Sequence, residues 1–264
     1  NAKCITCSSY FSSAWQAEDE KFGVMSWRKF NTTRRGQPWQ DLDLSQLTHL
    51  YFNGGEPLLS QEPELILTYL DSIGKLNQLV VSLNTNGSQR PNSTLLSLWK
   101  KCAEVVINFS IDAVGQEFEY IRDPLSWNQV SENLIWIAQQ SSKFKVSIAY
   151  TLGIHNIDCA KDTYEWVNRT STIINRPIPM YFHPAVGVFN LSNADADLKA
   201  FWLNQYQDSV DWQVMARSVL GNPELTQYPK WQDHLDMIDY RRNKDWKTGL
   251  PALYQAWKLS RGCV

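Results

Sequence analysis

The chain has 264 residues, 43% of them apolar, with 25 Lys and Arg against 27 Asp and Glu and a net charge of −2. That is enough for a sizeable core in one large domain, or in one domain with a small appendage. No basic surplus is available to neutralise phosphates, which argues against nucleic acid as a partner, and the longest apolar runs fall well short of the ~20 residues of a membrane-spanning helix, so no membrane partner is expected. Five cysteines, an odd number spread along the chain, do not form the dense framework of a small disulfide-stapled domain, so the expectation is reduced thiols and a cytoplasmic location.

The sequence opens on Asn1-Ala2-Lys3-Cys4-Ile5-Thr6-Cys7, without initiator Met, signal peptide or tag, in what reads as the middle of a motif; an upstream segment is expected. The Cys4/Cys7 spacing serves a dithiol redox centre, half of a zinc site, or two corners of an iron–sulfur cluster. A dithiol centre wants a following helix, which residues 8–15 could open. A zinc site wants a second pair, whereas Cys102, Cys159 and Cys263 are isolated and the four histidines do not pair at ligand spacing.

Five strand-then-helix units follow. Strands are expected at 49–53, 79–84, 105–111, 145–152 and 178–182. The helices between them are expected over a face of Leu65, Leu67, Leu70 and Ile73 with Pro63 near its first turn, then at 93–101, 127–140 and 158–169. Repeated units of ~30 residues imply parallel strands joined by right-handed crossovers, hence an α/β sheet or barrel. From about residue 192 the pattern becomes helical and aromatic, at 195–205, 209–220, 230–242 and 251–259, with Gly221-Asn222-Pro223 as a break. The expected organisation is a core at 1–190 and a helical, Trp-rich extension at 191–264 packed on it. Five of the 12 tryptophans (Trp202, Trp212, Trp231, Trp246, Trp257) fall in the last quarter. They read as wedges on a core or as the walls of a peptide groove.

In parallel α/β folds, chemistry gathers where strands hand over to their following loops. Three such hand-overs carry distinctive residues. Asn53-Gly54-Gly55-Glu56-Pro57 follows the first strand, with two glycines that let backbone approach a ligand and a fixed carboxylate. Asn84-Thr85-Asn86-Gly87 ends the second, and Ser110-Ile111-Asp112 ends the third, with Arg122 twelve residues after Ser110. Each segment also has a plain reading as a turn or a cap.

Read together and in this order, the Cys4/Cys7 pair, Gly-Gly-Glu-Pro, Thr-Asn-Gly and Ser-Ile-Asp with the distal Arg122 resemble the radical S-adenosylmethionine (SAM) superfamily, most closely its members with a SPASM or twitch extension. The resemblance covers about residues 1–185 and the tail only loosely. It implies a partial (β/α)6 TIM-like barrel with a helical C-terminal extension. It also implies a 4Fe–4S cluster held by three thiolates, SAM bound to the open iron, and an electron donor. Reductive cleavage of SAM would yield a 5′-deoxyadenosyl radical that abstracts hydrogen from a substrate, with a peptide or protein as the class the extension suggests. On this resemblance Cys4 and Cys7 are metal ligands, and Gly54, Gly55 and Glu56 receive the methionine ammonium. Ser110 contacts SAM near its ribose or carboxylate, Arg122 pairs with the methionine carboxylate, and Asn84, Asn86 and Asp112 are further cofactor-binding candidates.

Two departures accompany the resemblance. The motif's first cysteine would fall one residue before Asn1, together with the family's first strand and the ligands of any auxiliary cluster. Thr6 stands where an aromatic residue often packs near adenine, and Tyr10 or Phe11 could substitute, although Phe11 reads better as core. Cys102, Cys159 and Cys263 read as incidental thiols. His183, expected just after the last strand, reads as a structural hydrogen-bonder or a proton donor to product. The rival readings are a non-catalytic barrel that binds SAM or a partner, and a dithiol oxidoreductase using Cys4 and Cys7.

Overall fold

A computed structural model of the chain describes residues 2–10, 12–24, 39, 42–206 and 230–262. Helix α1 (Ser13–Lys21) precedes the sheet. Strand β1 (His49–Phe52) leads through α2 (Glu62–Ser72) to β2 (Val80–Thr85), and α3 (Ser93–Lys101) leads to β3 (Glu104–Ser110). From there α4 (Gly115–Ile121) and α5 (Trp127–Gln139) reach β4 (Phe144–Leu152), and α6 (Ala160–Ile174) reaches β5 (Met180–Pro184). The strands pair in chain order, every neighbour parallel. Crossovers of one hand between sequential parallel strands put the helices on a single face of the sheet.

The two faces differ accordingly. Val81, Leu83, Val105, Ile107, Phe109 and Ile148 point into the helix-covered core and are buried. The opposite face is polar: register places Asn84 beside Asn108 and Asn108 beside Ser147. Asn108 Nδ2 donates to Asn84 Oδ1 at 3.1 Å, and Ser147 Oγ donates to Asn108 Oδ1. Among the described residues β1 and β5 are edge strands that do not pair with each other.

All five expected strands are present, the last displaced to Met180–Pro184, so that His183 lies within the edge strand and is exposed. Helix α3 begins and ends where expected because Asn92 caps it by accepting from the Leu95 N–H at 2.8 Å, with Lys100 and Lys101 at its negative end. Helix α2 corrects the expected face. Pro63, Ile66, Leu67 and Leu70 are buried, whereas Leu65 and Ile73 are 42% and 46% exposed. Helix α6 starts two residues later than expected and runs further, to Ile174. The side chain of Asp158, expected near its start, turns away to accept hydrogen bonds from Trp202 Nε1 and the Tyr206 hydroxyl. The N-terminal helix likewise begins only at Ser13, and the short α4 was not expected.

After β5 come α7 (Ala196–Gln205), α8 (Trp231–Arg242), α9 (Trp246–Gly249) and α10 (Pro251–Ser260). Trp202, Trp231 and Trp246 are buried, and the Trp231 and Trp246 rings meet edge-on with centroids 5.5 Å apart. They act as core wedges. The expected helix at 209–220, the break at 221–223, Trp212 and Cys263 lie outside the described residues. Among the described residues no helix is long and apolar enough to cross a membrane.

The α2 correction predicts opposite outcomes for two neighbouring leucines. Leu67→Ala, at a fully buried site, is expected to cost about 2–5 kcal/mol in urea unfolding, and Leu65→Ala within about 0.5 kcal/mol of nothing. Similar losses at both would contradict the observed face.

Asp158 generates a second prediction. Burial pushes its carboxyl up to about 6 despite its two donors. A carboxyl whose folded value lies above its unfolded value of 3.8 stabilises the fold fully below that value, and the contribution is lost as pH rises through about 6. Wild type is therefore expected to lose stability relative to Asp158→Asn between about pH 4 and 6, with a constant difference above pH 7; a difference independent of pH would contradict this.

Candidate functional site

A cavity of about 480 Å³ opens where β1, β2 and β3 end, and three loops and the N-terminal segment converge on it. Its size falls within the roughly 300–1,000 Å³ of small-molecule sites. Cys4, Cys7, Gly54, Gly55, Asn84, Asn86, Ser110 and Arg122 all line it, although they are scattered over 118 positions of sequence. Ala2, Ser12, Ser13, Asn53 and Thr85 complete the wall and were not singled out from the sequence. Asn53 and Thr85 sit inside motifs already noted, while Ser12 and Ser13 carry no signal of their own.

The loop after β1 is built on Gly54 (φ +92°) and Gly55 (φ +53°), conformations glycine enters without the penalty other residues meet, and no atom lies within 4 Å of where either Cβ would stand. Glu56 does not line the cavity. It is 8% exposed, and its carboxylate accepts from the Leu58 N–H (3.1 Å), Thr85 Oγ1 (2.7 Å) and the Asn86 N–H (2.7 Å). The carboxylate assigned by resemblance to a ligand ammonium is thus occupied in joining the β1 loop to the β2 loop. The Thr-Asn-Gly turn closes on itself as Gly87 N–H donates to Thr85 Oγ1 and Ser88 N–H to Asn86 Oδ1.

Asp112 is also behind the wall. It is wholly buried; Oδ1 accepts from the Thr151 N–H at 2.7 Å, and Oδ2 pairs with Arg122 Nη2 at 2.6 Å. Its carbonyl accepts from Asn156 Nδ2, which also donates to the Thr151 carbonyl. Asn156, which sequence reasoning missed, thereby fixes Asp112, and Asp112 fixes Arg122. Arg122 caps the end of α4, with Nη1 3.6 Å from Cys4 Sγ and with Nε lacking a hydrogen-bond partner among the described residues. Burial alone would lower its pKa, but the Asp112 carboxylate and Cys4 outweigh burial and leave it above its ordinary value, so the cavity wall carries a firm positive charge.

The cysteine segment lies against the end of α4. Lys3 N–H donates to the Asp123 carbonyl (2.6 Å) and Ile5 N–H to the Ile121 carbonyl (2.9 Å), while Trp15 Nε1 donates to the Cys4 carbonyl (2.8 Å). Both thiols are free and partly exposed. Burial pushes both upward, with Arg122 opposing at each. Among the described residues no cluster of three or more Cys, His, Asp or Glu side chains forms a metal-ion site. The two thiols could hold two corners of an iron–sulfur cluster, and no third donor stands with them among the described residues. Cys102 and Cys159 are buried and stand apart from the cavity.

Thr6 leaves no aromatic side chain on the cavity wall among the described residues. Tyr10, one expected substitute, is 52% exposed, and Phe11 lies outside the described residues. His155, after β4, is wholly buried, its pKa lowered to about 3 by burial and by Arg122, so it stays neutral.

No known family profile matches the chain, and no curated protein matches it. Among solved structures it is similar to Streptococcus suis SuiB bound to S-adenosylmethionine, at 11% identity and a TM-score of 0.44 over 82% of this chain and 45% of that one. SuiB alone gives 12% and 0.43 over 82% and 44%, and SuiB bound to the precursor peptide SuiA gives 11% and 0.41 over the same shares. The chain spans less than half the length of these structures.

Proposed function

We propose that the chain is the core of a radical SAM enzyme, with the sheet as part of a (β/α)6 barrel and the cavity at its strand ends as the SAM site. The observation that supports this reading is convergence. The four motifs that carry the resemblance are far apart in sequence, and each contributes residues to the wall of one cavity.

In this reading the Cys4 and Cys7 thiolates hold two corners of a 4Fe–4S cluster, and a residue outside the described set supplies the third. When bound, such a cluster delivers the electron that cleaves SAM. The chain's own residues bind and orient. Arg122, its charge held in place by Asp112, receives the methionine carboxylate in a charge-assisted contact. Gly54 and Gly55 present bare backbone to the methionine ammonium, and Ser110 and the two asparagines offer hydrogen bonds to the remainder of SAM. Glu56 and Asp112 act at one remove, as positioning residues. The substrate class is a peptide or protein side chain, on the resemblance to twitch-bearing members, and an external reductant is a required partner.

Two observations weigh against the dithiol oxidoreductase. Its nucleophilic thiol needs a depressed pKa, whereas burial raises both thiols. The pair also lies outside the first turn of α1, which begins only at Ser13, whereas such a centre wants its thiols at the opening of a helix.

Anaerobic reconstitution with iron and sulfide tests the proposal. The protein is expected to bind iron and, on reduction with SAM, to release 5′-deoxyadenosine. Cys4→Ala or Cys7→Ala should abolish iron binding and Cys102→Ala should preserve it, while Arg122→Ala should weaken SAM binding more than it weakens iron binding. An intact cluster without 5′-deoxyadenosine would leave the non-catalytic barrel as the better reading, and iron loss in Cys102→Ala would overturn the ligand assignment.

A further inference from the structure

The backbone around Cys4 is held from later in the chain. Arg242, at the end of α8, donates from Nη1 to the Lys3 carbonyl at 2.9 Å, and Trp15 Nε1 holds the next carbonyl, that of Cys4. The N–H groups of Lys3 and Ile5 are taken from the opposite side by the end of α4.

The Arg242 donor is itself fixed. The Arg242 side chain is 2% exposed, lies over the Trp15 ring at 4.6 Å and contacts Glu18, which also pairs with Lys3 at 2.7 Å. Arg241 pairs with Asp19 at 2.7 Å, one residue along α1. These contacts tie α8 to α1 and, through Lys3, to the residue just before Cys4.

We propose that α8 is a clamp on the cysteine segment, with Arg242 as the positioning residue that fixes the backbone next to Cys4 and so sets where its sulfur stands in the cavity. The clamp is a property of the metal-free chain and does not depend on which ligand the thiols take. Because binding couplings are reciprocal, any ligand that holds Cys4 in its clamped position also strengthens the docking of α8.

The test uses the reduced, metal-free protein and alkylation by iodoacetamide resolved by position. Arg242→Lys keeps a cation for Glu18 but loses the guanidinium fork that reaches the Lys3 carbonyl at the same time. It is expected to raise the Cys4 alkylation rate roughly five- to tenfold, the range of one lost hydrogen bond, while Cys102 and Cys159 keep wild-type rates. Titration with Cd2+ is a second readout: the thiolate-to-cadmium absorption band should need a higher Cd2+ concentration to saturate in the variant. An unchanged Cys4 rate, or parallel acceleration at Cys102 and Cys159, would overturn the clamp. Either result would leave the SAM reading standing, and absence of 5′-deoxyadenosine from a protein with an intact clamp would do the reverse.

Discussion

The Arg122–Asp112 pair is the contact on which the cavity depends. Both charges are buried, and a buried charge is tolerable only with its partner in place. Asp112 continues from the end of β3 and is fixed by the Thr151 N–H of β4 and by Asn156; Arg122 ends α4, and the carbonyls on either side of it, from Ile121 and Asp123, receive the Ile5 and Lys3 N–H groups. One ion pair therefore relates the sheet, α4 and the cysteine segment, and it places a cation beside Cys4 with one nitrogen that has no hydrogen-bond partner among the described residues.

The residues around the cavity divide into those that face it and those that hold the others. Gly54, Gly55, Asn86, Ser110 and Arg122 face it. Glu56 and Asp112 stand behind, each carboxylate tying two loops or elements together. Parallel strands make this arrangement natural, because their C-terminal ends lie side by side and neighbouring loops can exchange hydrogen bonds across a few ångströms. Later in the chain α8 applies the same logic, with Arg242 reaching back to the segment that bears Cys4.

Much of this was legible in sequence where the physics is local. Alternation and chain order identified all five strands and their direction, and the helix at 93–101 stands where expected. The cysteine pair and the three hand-over segments pointed to eight residues that line one cavity. What escaped was direction and distance. Spacing places Glu56 in the right loop but does not tell whether its carboxylate faces a ligand or turns back to Thr85 and Asn86. Four apolar residues on α2 suggested one face, yet the buried stripe runs through Ile66 instead of Leu65 and Ile73, because the exposed pair lies beyond the reach of the sheet. The start of α6 was misread because Asp158 is engaged by Trp202 and Tyr206, more than forty positions away, and Arg242 is separated from Lys3 by 239. No window of sequence contains both partners of such contacts.

The central claim is that the separated motifs form one binding site for SAM. Hydrogen exchange of the anaerobically reconstituted protein, with and without SAM, tests it most directly, since each loop reports separately. The account predicts joint protection of residues 53–56, 84–88, 110–112 and 121–123, with α6 unchanged. Protection confined to one of these segments, or appearing elsewhere with all four unchanged, would contradict it.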